Sequence, residues 1–382
     1  MKTRKSILII AHPHFTIPGG AGKVILELSK RLAVKYRIII IAQQIRENYL
    51  TDYPQLQFIN IGGPLTDSFR FWLLFHYWQN KYYKIISKYS QNNSIDIIVN
   101  SFPSNWLLLG LSKRFPKNRF YWYCHEPSAF IHDRAWQKAI KNPLKRLIAY
   151  ILKPLLVYID RKLVCNAKLI FANSIYTKNN VLKIYDRNSS VIYPSIDFTL
   201  YKPAKAEMKK NYIITAARIT KYKRIDILIK AMVLLKNKDI LIYIVGDGEH
   251  KSKLQKLAHI LNINQRIKFY PAQHSDRLVK LISEAKIFIS CSHNETFGLV
   301  LLEALACGTP VISQISGGPK EIVEHNKNGL LINCTPKLLA QTIDNLLSNQ
   351  QKIEKLANDS RSSVIKKFNW DRSVQKIIKE IA

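Results

Sequence analysis

Two glutamates eight residues apart, Glu295 and Glu303, lie in the stretch SHNETFGLVLLEALA, Ser292–Ala306. Carboxylates accept hydrogen bonds from vicinal hydroxyls of the kind a hexose or a ribose offers. Thr296-Phe297-Gly298 predicts a helix starting near Phe297, whose unpaired N–H groups would face an anion or sugar hydroxyls. Glu303 then falls about a turn and a half into that helix, inside an otherwise apolar run. A buried carboxylate without a partner is costly, so Glu303 needs one. The blander alternative makes Glu295 a helix-end charge and Glu303 a surface residue.

Arg218 and Lys223 follow a strand-like run, Ile213–Ala217, and sit five apart. Two cations there suit a diphosphate, each charge-assisted contact contributing about 1.5–3 kcal/mol. With Lys221 and Arg224 beside them they equally suit a solvated basic loop. His125 follows the run Phe120–Cys124 in His125-Glu126-Pro127, where a histidine is either a satisfied structural residue or a functional one at a strand end. His132-Asp133 is a second polar pair or a helix start. His12 and His14 invite a metal reading, which the lack of nearby carboxylates discounts.

Glycine-rich turns add anion-binding physics. Pro18-Gly19-Gly20-Ala21-Gly22 leads into the helical pattern Val24–Ala33, so backbone N–H groups at Gly19 and Gly20 can approach a ligand closely. The Walker pattern is absent: Ile17 stands five before Gly22, and Val24 follows Lys23. Gly246-Asp247-Gly248 follows a strand, yet Lys251 breaks the dinucleotide fingerprint. Gly317-Gly318-Pro319 makes another such turn.

The elements that must position these residues are legible as alternation. Ser6–Ile10, Arg37–Ile41, Ile95–Asn100, Phe120–Cys124, Leu169–Ala172 and Val191–Ile192 read as strands. Ile213–Ala217, Ile240–Val245, Ile267–Phe269, Ile287–Ser290, Pro310–Ser313 and Leu330–Ile332 repeat the theme. Strands alternating with helices of ten or more residues indicate an α/β protein with doubly wound parallel sheets. Two such series predict two Rossmann-like domains, 1–193 and 194–367, with the boundary at Tyr193-Pro194-Ser195.

The chain has 382 residues, 47% apolar and 22% charged, a globular composition. Its net charge of +33 is spread over both halves and attracts polyanions: nucleic acid, an anionic membrane face or phosphorylated substrates. None of the five cysteines pairs as CxxC, so neither a zinc site nor a disulfide framework is signalled, and a reducing compartment fits. The N-terminal apolar run ends at His12-Pro13-His14, too short for a signal peptide. The run Leu147–Ile159 contains Lys153 and Pro154 and does not read as a membrane span. Phe69–Tyr83 and Asn142–Lys162 interleave aromatic or aliphatic side chains with cations. They read as buried domain helices or as an interfacial surface for an anionic leaflet.

Taken in order, these motifs resemble the retaining glycosyltransferases of family 4 (group 1). The carrying residues are Gly19-Gly20, His125, Ala217-Arg218-Ile219 with Lys223-Arg224-Ile225-Asp226, and Val245-Gly246-Asp247-Gly248. To these belong Glu295 and Glu303 with Phe297-Gly298, Gly308-Thr309-Pro310-Val311, and Gly317-Gly318-Pro319 with Glu321. The ending Phe368-Asn369-Trp370 resembles the family's final segment, implying that 368–382 returns to the first domain. The resemblance implies the GT-B fold, two Rossmann-like domains facing across a cleft, the first binding acceptor and the second the nucleotide-sugar donor. Arg218 and Lys223 would bind the diphosphate, with the amides of Phe297, Gly298, Leu299 and Val300. Glu303 would take the ribose, Glu295 the donor sugar, and Gly246 and Gly248 would lie on the nucleotide side. His125 with Gly19 and Gly20 would face the reaction centre.

Arg224 stands where many members have glycine, and Pro271-Ala272 where a glycine often follows the strand. The implied reaction forms an α-glycosidic bond with retention. The donor is GDP-mannose first, by the phrase Tyr123–Pro127, and a UDP-sugar second; the acceptor is lipid-linked or a glycan. No cofactor, no metal and no nucleic acid are expected, and the place is cytoplasmic, peripheral on the cytoplasmic face of an anionic membrane. The alternatives are a non-catalytic scaffold of the same fold and a nucleic-acid-binding basic protein.

Overall fold

Segments such as LIIA and IIIIA carry apolar side chains toward both faces, which suits strands buried on both sides of a parallel sheet. The computed structural model describes residues 5–16, 19–64, 70, 74–91, 94–132, 143–273 and 275–382. Ile17, Pro18, Phe69, Asp133, Asn142 and 71–73, all within motifs read above, lie outside the described residues. The chain divides into two compact units. One comprises Met1–Tyr193 with Trp370–Ala382, the other Pro194–Asn369.

The first unit holds β1 (Ile7–His12), β2 (Arg37–Ala42), β3 (Gln57–Asn60), β4 (Asp96–Val99), β5 (Arg119–Cys124), β6 (Leu169–Ala172) and β7 (Ser190–Val191). They form one parallel sheet in the order β3-β2-β1-β4-β5-β6-β7. Leu8, Ile9, Ile39, Ile97 and Trp122 are fully or almost fully buried in its core. The strand β3 is absent from the sequence reading: QFIN sits at an edge and has only Phe58 and Ile59 between polar ends, so it lacks the unbroken apolar run of its neighbours. The C-terminal helix Trp370–Ile381 buries Trp370, Val374, Ile377 and Ile381, a helical spacing, and so presents one apolar face. It is fastened to this unit by Ser373 Oγ donating to the Tyr193 carbonyl at 2.6 Å and by the Arg31 guanidinium over the Trp370 ring at 5.3 Å. Phe368 and Asn369 group instead with the second unit. There Phe368 is buried against Phe297, and its carbonyl accepts from Ser195 Oγ at 2.9 Å.

The second unit holds β8 (Tyr212–Ala216), β9 (Leu241–Val245), β10 (Ile267–Tyr270), β11 (Ile287–Ser290), β12 (Val311–Gln314) and β13 (Gly329–Ile332). The sheet is again parallel, ordered β10-β9-β8-β11-β12-β13. Its core is aliphatic, with Ile213, Ile229, Ile242, Ile287 and Ile312 all fully buried. In each sheet the connections reverse direction once, between β1 and β4 and between β8 and β11. Loops leaving the carboxyl ends there diverge and open a crevice, the usual ligand position of open parallel sheets.

Candidate active site

At the second reversal one side-chain pair bridges the loops that leave β8 and β11. Lys223, on a short turn after β8, donates from Nζ to Glu295 Oε2 at 2.5 Å, and both side chains stay partly exposed. Arg218 stands exposed at the end of β8 on the same edge. Gly318 N donates to the Glu295 carbonyl at 2.8 Å. Gly317, at φ 70°, lies so close that a Cβ there would come within 2.3 Å of the same carbonyl oxygen. The Gly317-Gly318 turn is therefore the backing that holds the Glu295 loop in place. On the other side of β8, Gly246 has φ 138° and a Cβ there would meet the Ala217 carbonyl at 1.9 Å. Ile219 N donates to the Asp247 carbonyl at 2.8 Å, so the Gly246–Gly248 loop is stitched to the segment carrying Arg218.

The helix after Glu295 spans Leu299–Ala306 with Gly298 at its N-cap, two residues later than the sequence predicted. Phe297 is buried in the core instead of opening the helix. Glu303 is 6% exposed, and the partner it needed is Tyr201, whose hydroxyl donates to Oε1 at 2.8 Å. The surface alternative for Glu303 is thereby overturned. Tyr201 lies 102 residues upstream, a separation no local pattern reveals. Arg224 holds a left-handed backbone, φ 50°, which is the conformation that favours glycine at this position. Ala272 N donates to Asp247 Oδ2 at 2.8 Å, so the Pro271-Ala272 turn is tied to the glycine loop.

The first reversal is built differently. Asn100, directly after β4, donates from Nδ2 to the Ala11 carbonyl at 2.7 Å. Its Oδ1 lies 2.6 Å from His12 Nδ1 and accepts from Ser101 N. An amide oxygen only accepts, so His12 carries its proton on Nδ1 and leaves Nε2 unprotonated. That Nε2 would stand 3.5 Å from a Cβ on Gly22, in the first turn of the helix Gly20–Leu32. Gly19 caps this helix in extended backbone, and Gly19 and Gly20 are exposed. Burial pushes the His12 imidazole down to about 4 despite the Asn100 bond. His125, after β5, is pushed down to about 3 by burial and by the nearby His12, and its Nε2 is out of solvent without a hydrogen-bond partner. Both rings are therefore neutral at pH 7. The importance of Asn100 was hidden from sequence reasoning because the residue reads as the last position of a strand.

Family models match both parts of the chain: glycosyl transferases group 1 over residues 197–363 and glycosyltransferase family 4 over residues 18–200. The chain belongs to the group 1 glycosyltransferases. An uncharacterized glycosyltransferase of Methanocaldococcus jannaschii is 32% identical over 171 residues, 44% of each chain. The GDP-mannose-dependent α-(1-6)-phosphatidylinositol monomannoside mannosyltransferase of Mycobacterium tuberculosis is 27% identical over 226 residues, 53% of this chain and 59% of that protein. The matches span about half the length of such curated relatives. The crystal structure of Anabaena Alr3699/HepE in complex with UDP and glucose superimposes on this glycosyltransferase with a TM-score of 0.79 at 18% identity, covering 98% of this chain and 99% of that one. The fold is GT-B in its two Rossmann-like units.

Proposed function

We propose that this glycosyltransferase moves a sugar from a nucleotide-sugar donor, GDP-mannose first and a UDP-sugar second, to a hydroxyl of a lipid-linked or glycan acceptor. The observation that carries the reading is the Lys223–Glu295 pair at the reversal of the second sheet, with the helix Leu299–Ala306 starting just beyond it. Cations and helix N–H groups stabilise the negative charge that develops on a departing diphosphate. Arg218 and Lys223 take that role with the amides of Phe297, Gly298, Leu299 and Val300. Glu295 accepts from the donor sugar, and Glu303, its carboxylate oriented by Tyr201, accepts from the ribose; Gly246 and Gly248 shape the nucleotide side. The first unit serves the acceptor, through His125, Gly19 and Gly20. The acceptor hydroxyl attacks on the face the diphosphate leaves and its proton passes to a donor phosphate oxygen, so the bond formed is α. The GDP-mannose assignment draws support from the mycobacterial relative's name.

The same reading has the protein working at the cytoplasmic face of an anionic membrane. The helix Pro143–Val164 exposes Leu147, Tyr150, Ile151, Leu155 and Tyr158, Tyr150 by 76%. Exposed Arg146, Arg161 and Lys162 lie among them, while Asp160, the helix's one acidic residue, is buried. An apolar band rimmed by cations suits an interfacial helix. No helix among the described residues is long and apolar enough to cross a membrane.

Calorimetric titration with GDP, UDP and ADP tests the donor reading. Preferential binding of one nucleotide, weakened in Glu303→Ala, is the expected result. A folded protein that binds none of the three overturns the donor site and favours a non-catalytic scaffold.

A further inference from the structure

Asp160 is fully buried, and its carboxylate gathers side chains from separate parts of the first unit. Oδ1 accepts from Ser128 Oγ at 2.9 Å and from Trp106 Nε1 at 3.4 Å. Oδ2 accepts from His132 Nε2 and from Tyr185 OH, each at 2.8 Å. A buried carboxylate is tolerated when its lone pairs are filled in this way, and such a satisfied network rigidifies what it joins.

What it joins is the loop after β5. Ser128 is three residues beyond His125, and its N–H reaches Tyr185 OH at 3.4 Å. The carbonyl of Ser128 accepts from His132 N at 3.0 Å, so the turn that follows is closed on the same carboxylate. At the other end, the His125 carbonyl accepts from Asn173 Nδ2 at 3.0 Å. His125 is thus held between a backbone clamp and the Asp160 cluster, while its own Nε2 makes no hydrogen bond. With no hydrogen bond at Nε2, the imidazole takes its direction from the loop that carries it and from the Tyr123 ring, whose centroid lies 4.9 Å away.

We infer that Asp160 is a positioning residue: it sets the His125 loop and thereby the direction of the His125 imidazole. The inference rests on the reading of His125 as the acceptor-side group only for its consequence in turnover, and its primary test does not need turnover. In Asp160→Asn the volume is kept, but an amide N–H₂ replaces an acceptor facing His132 and Tyr185. Histidine ring signals of the full-length protein are recorded by NMR, with His125 assigned through His125→Gln and His325 as the internal control in the other unit. The expected result is a displaced or broadened His125 signal, an unchanged His325 signal and carbethoxylation of His125 at least fivefold faster. Ser128→Ala removes one of the four bonds and gives the same changes at smaller size, and it decides the matter should Asp160→Asn not fold. Unchanged His125 signals and reactivity in a folded variant overturn the inference. A displaced His125 with undiminished sugar transfer upholds the positioning and overturns the acceptor-side role of His125 instead.

Discussion

The two units share a plan and differ in charge. Each is a parallel sheet whose connections reverse once, and in each the loops at that reversal carry polar side chains. In the first unit the side chains there are neutral: the buried His12 and, after the neighbouring β5, the half-buried His125 are both held below their ordinary range, and the Asn100 amide bridges β1 and β4. In the second they are ionic: a half-buried lysine–glutamate pair with an exposed arginine beside it. Topology chooses where a ligand can enter, and the side chains choose its charge. A neutral pocket suits an uncharged hydroxyl, whereas a cationic edge over a helix start suits a diphosphate.

Removing the cations should break this contrast most sharply. Arg218→Ala with Lys223→Ala is expected to cost about 3–6 kcal/mol of diphosphate affinity, a loss of at least about 100-fold in calorimetry. His125→Ala, in the neutral unit, should leave nucleotide affinity within about twofold. Acid comes next. Burial lowers the folded-state value of His12 to about 4, below the unfolded value near 6.5, so the unfolded chain takes up the proton first. The His12 contribution to stability is therefore present above pH 6.5 and is lost as pH falls toward 4. Urea unfolding should show a loss of roughly 2 kcal/mol from His12 between pH 6.5 and 5, and His125 adds in the same direction. Stability unchanged over that window would remove the neutral-pocket half of the comparison.

Within the ionic unit, Glu303→Ala removes the carboxylate that accepts from the Tyr201 hydroxyl and should destabilise by about 1–3 kcal/mol. Glu303→Gln keeps an acceptor oxygen and should lose less, which thermal unfolding of the pair will measure. The smallest effect is at Arg224, where relief of a left-handed backbone by Arg224→Gly should stabilise by about 0.5 kcal/mol. A destabilisation instead would mean that the guanidinium contact to the Cys334 carbonyl outweighs the backbone strain.

The alternation of apolar runs with helical stretches was sufficient to read twelve of the thirteen strands among the described residues and the parallel class, because burial on both faces of the central strands favours unbroken apolar runs. The edge strand β3 escaped because it holds only two apolar residues, Phe58 and Ile59, between polar ends. Local spacing likewise showed that Glu303 lay in apolar surroundings and required a partner. What it could not supply was the partner itself.

The chain by itself determined its fold class, its family and its excess of positive charge, all of which follow from composition and short-range order along the backbone. Only the tertiary structure decided that Lys223 meets Glu295 across 72 residues, that Tyr201 fills Glu303, and that Gly317 backs the Glu295 loop. The same holds for the collection of Ser128, His132 and Tyr185 around Asp160. Each of these is a hydrogen bond or a close approach between segments distant in sequence, and such contacts exist only once the sheets have ordered their strands and brought those segments to one edge.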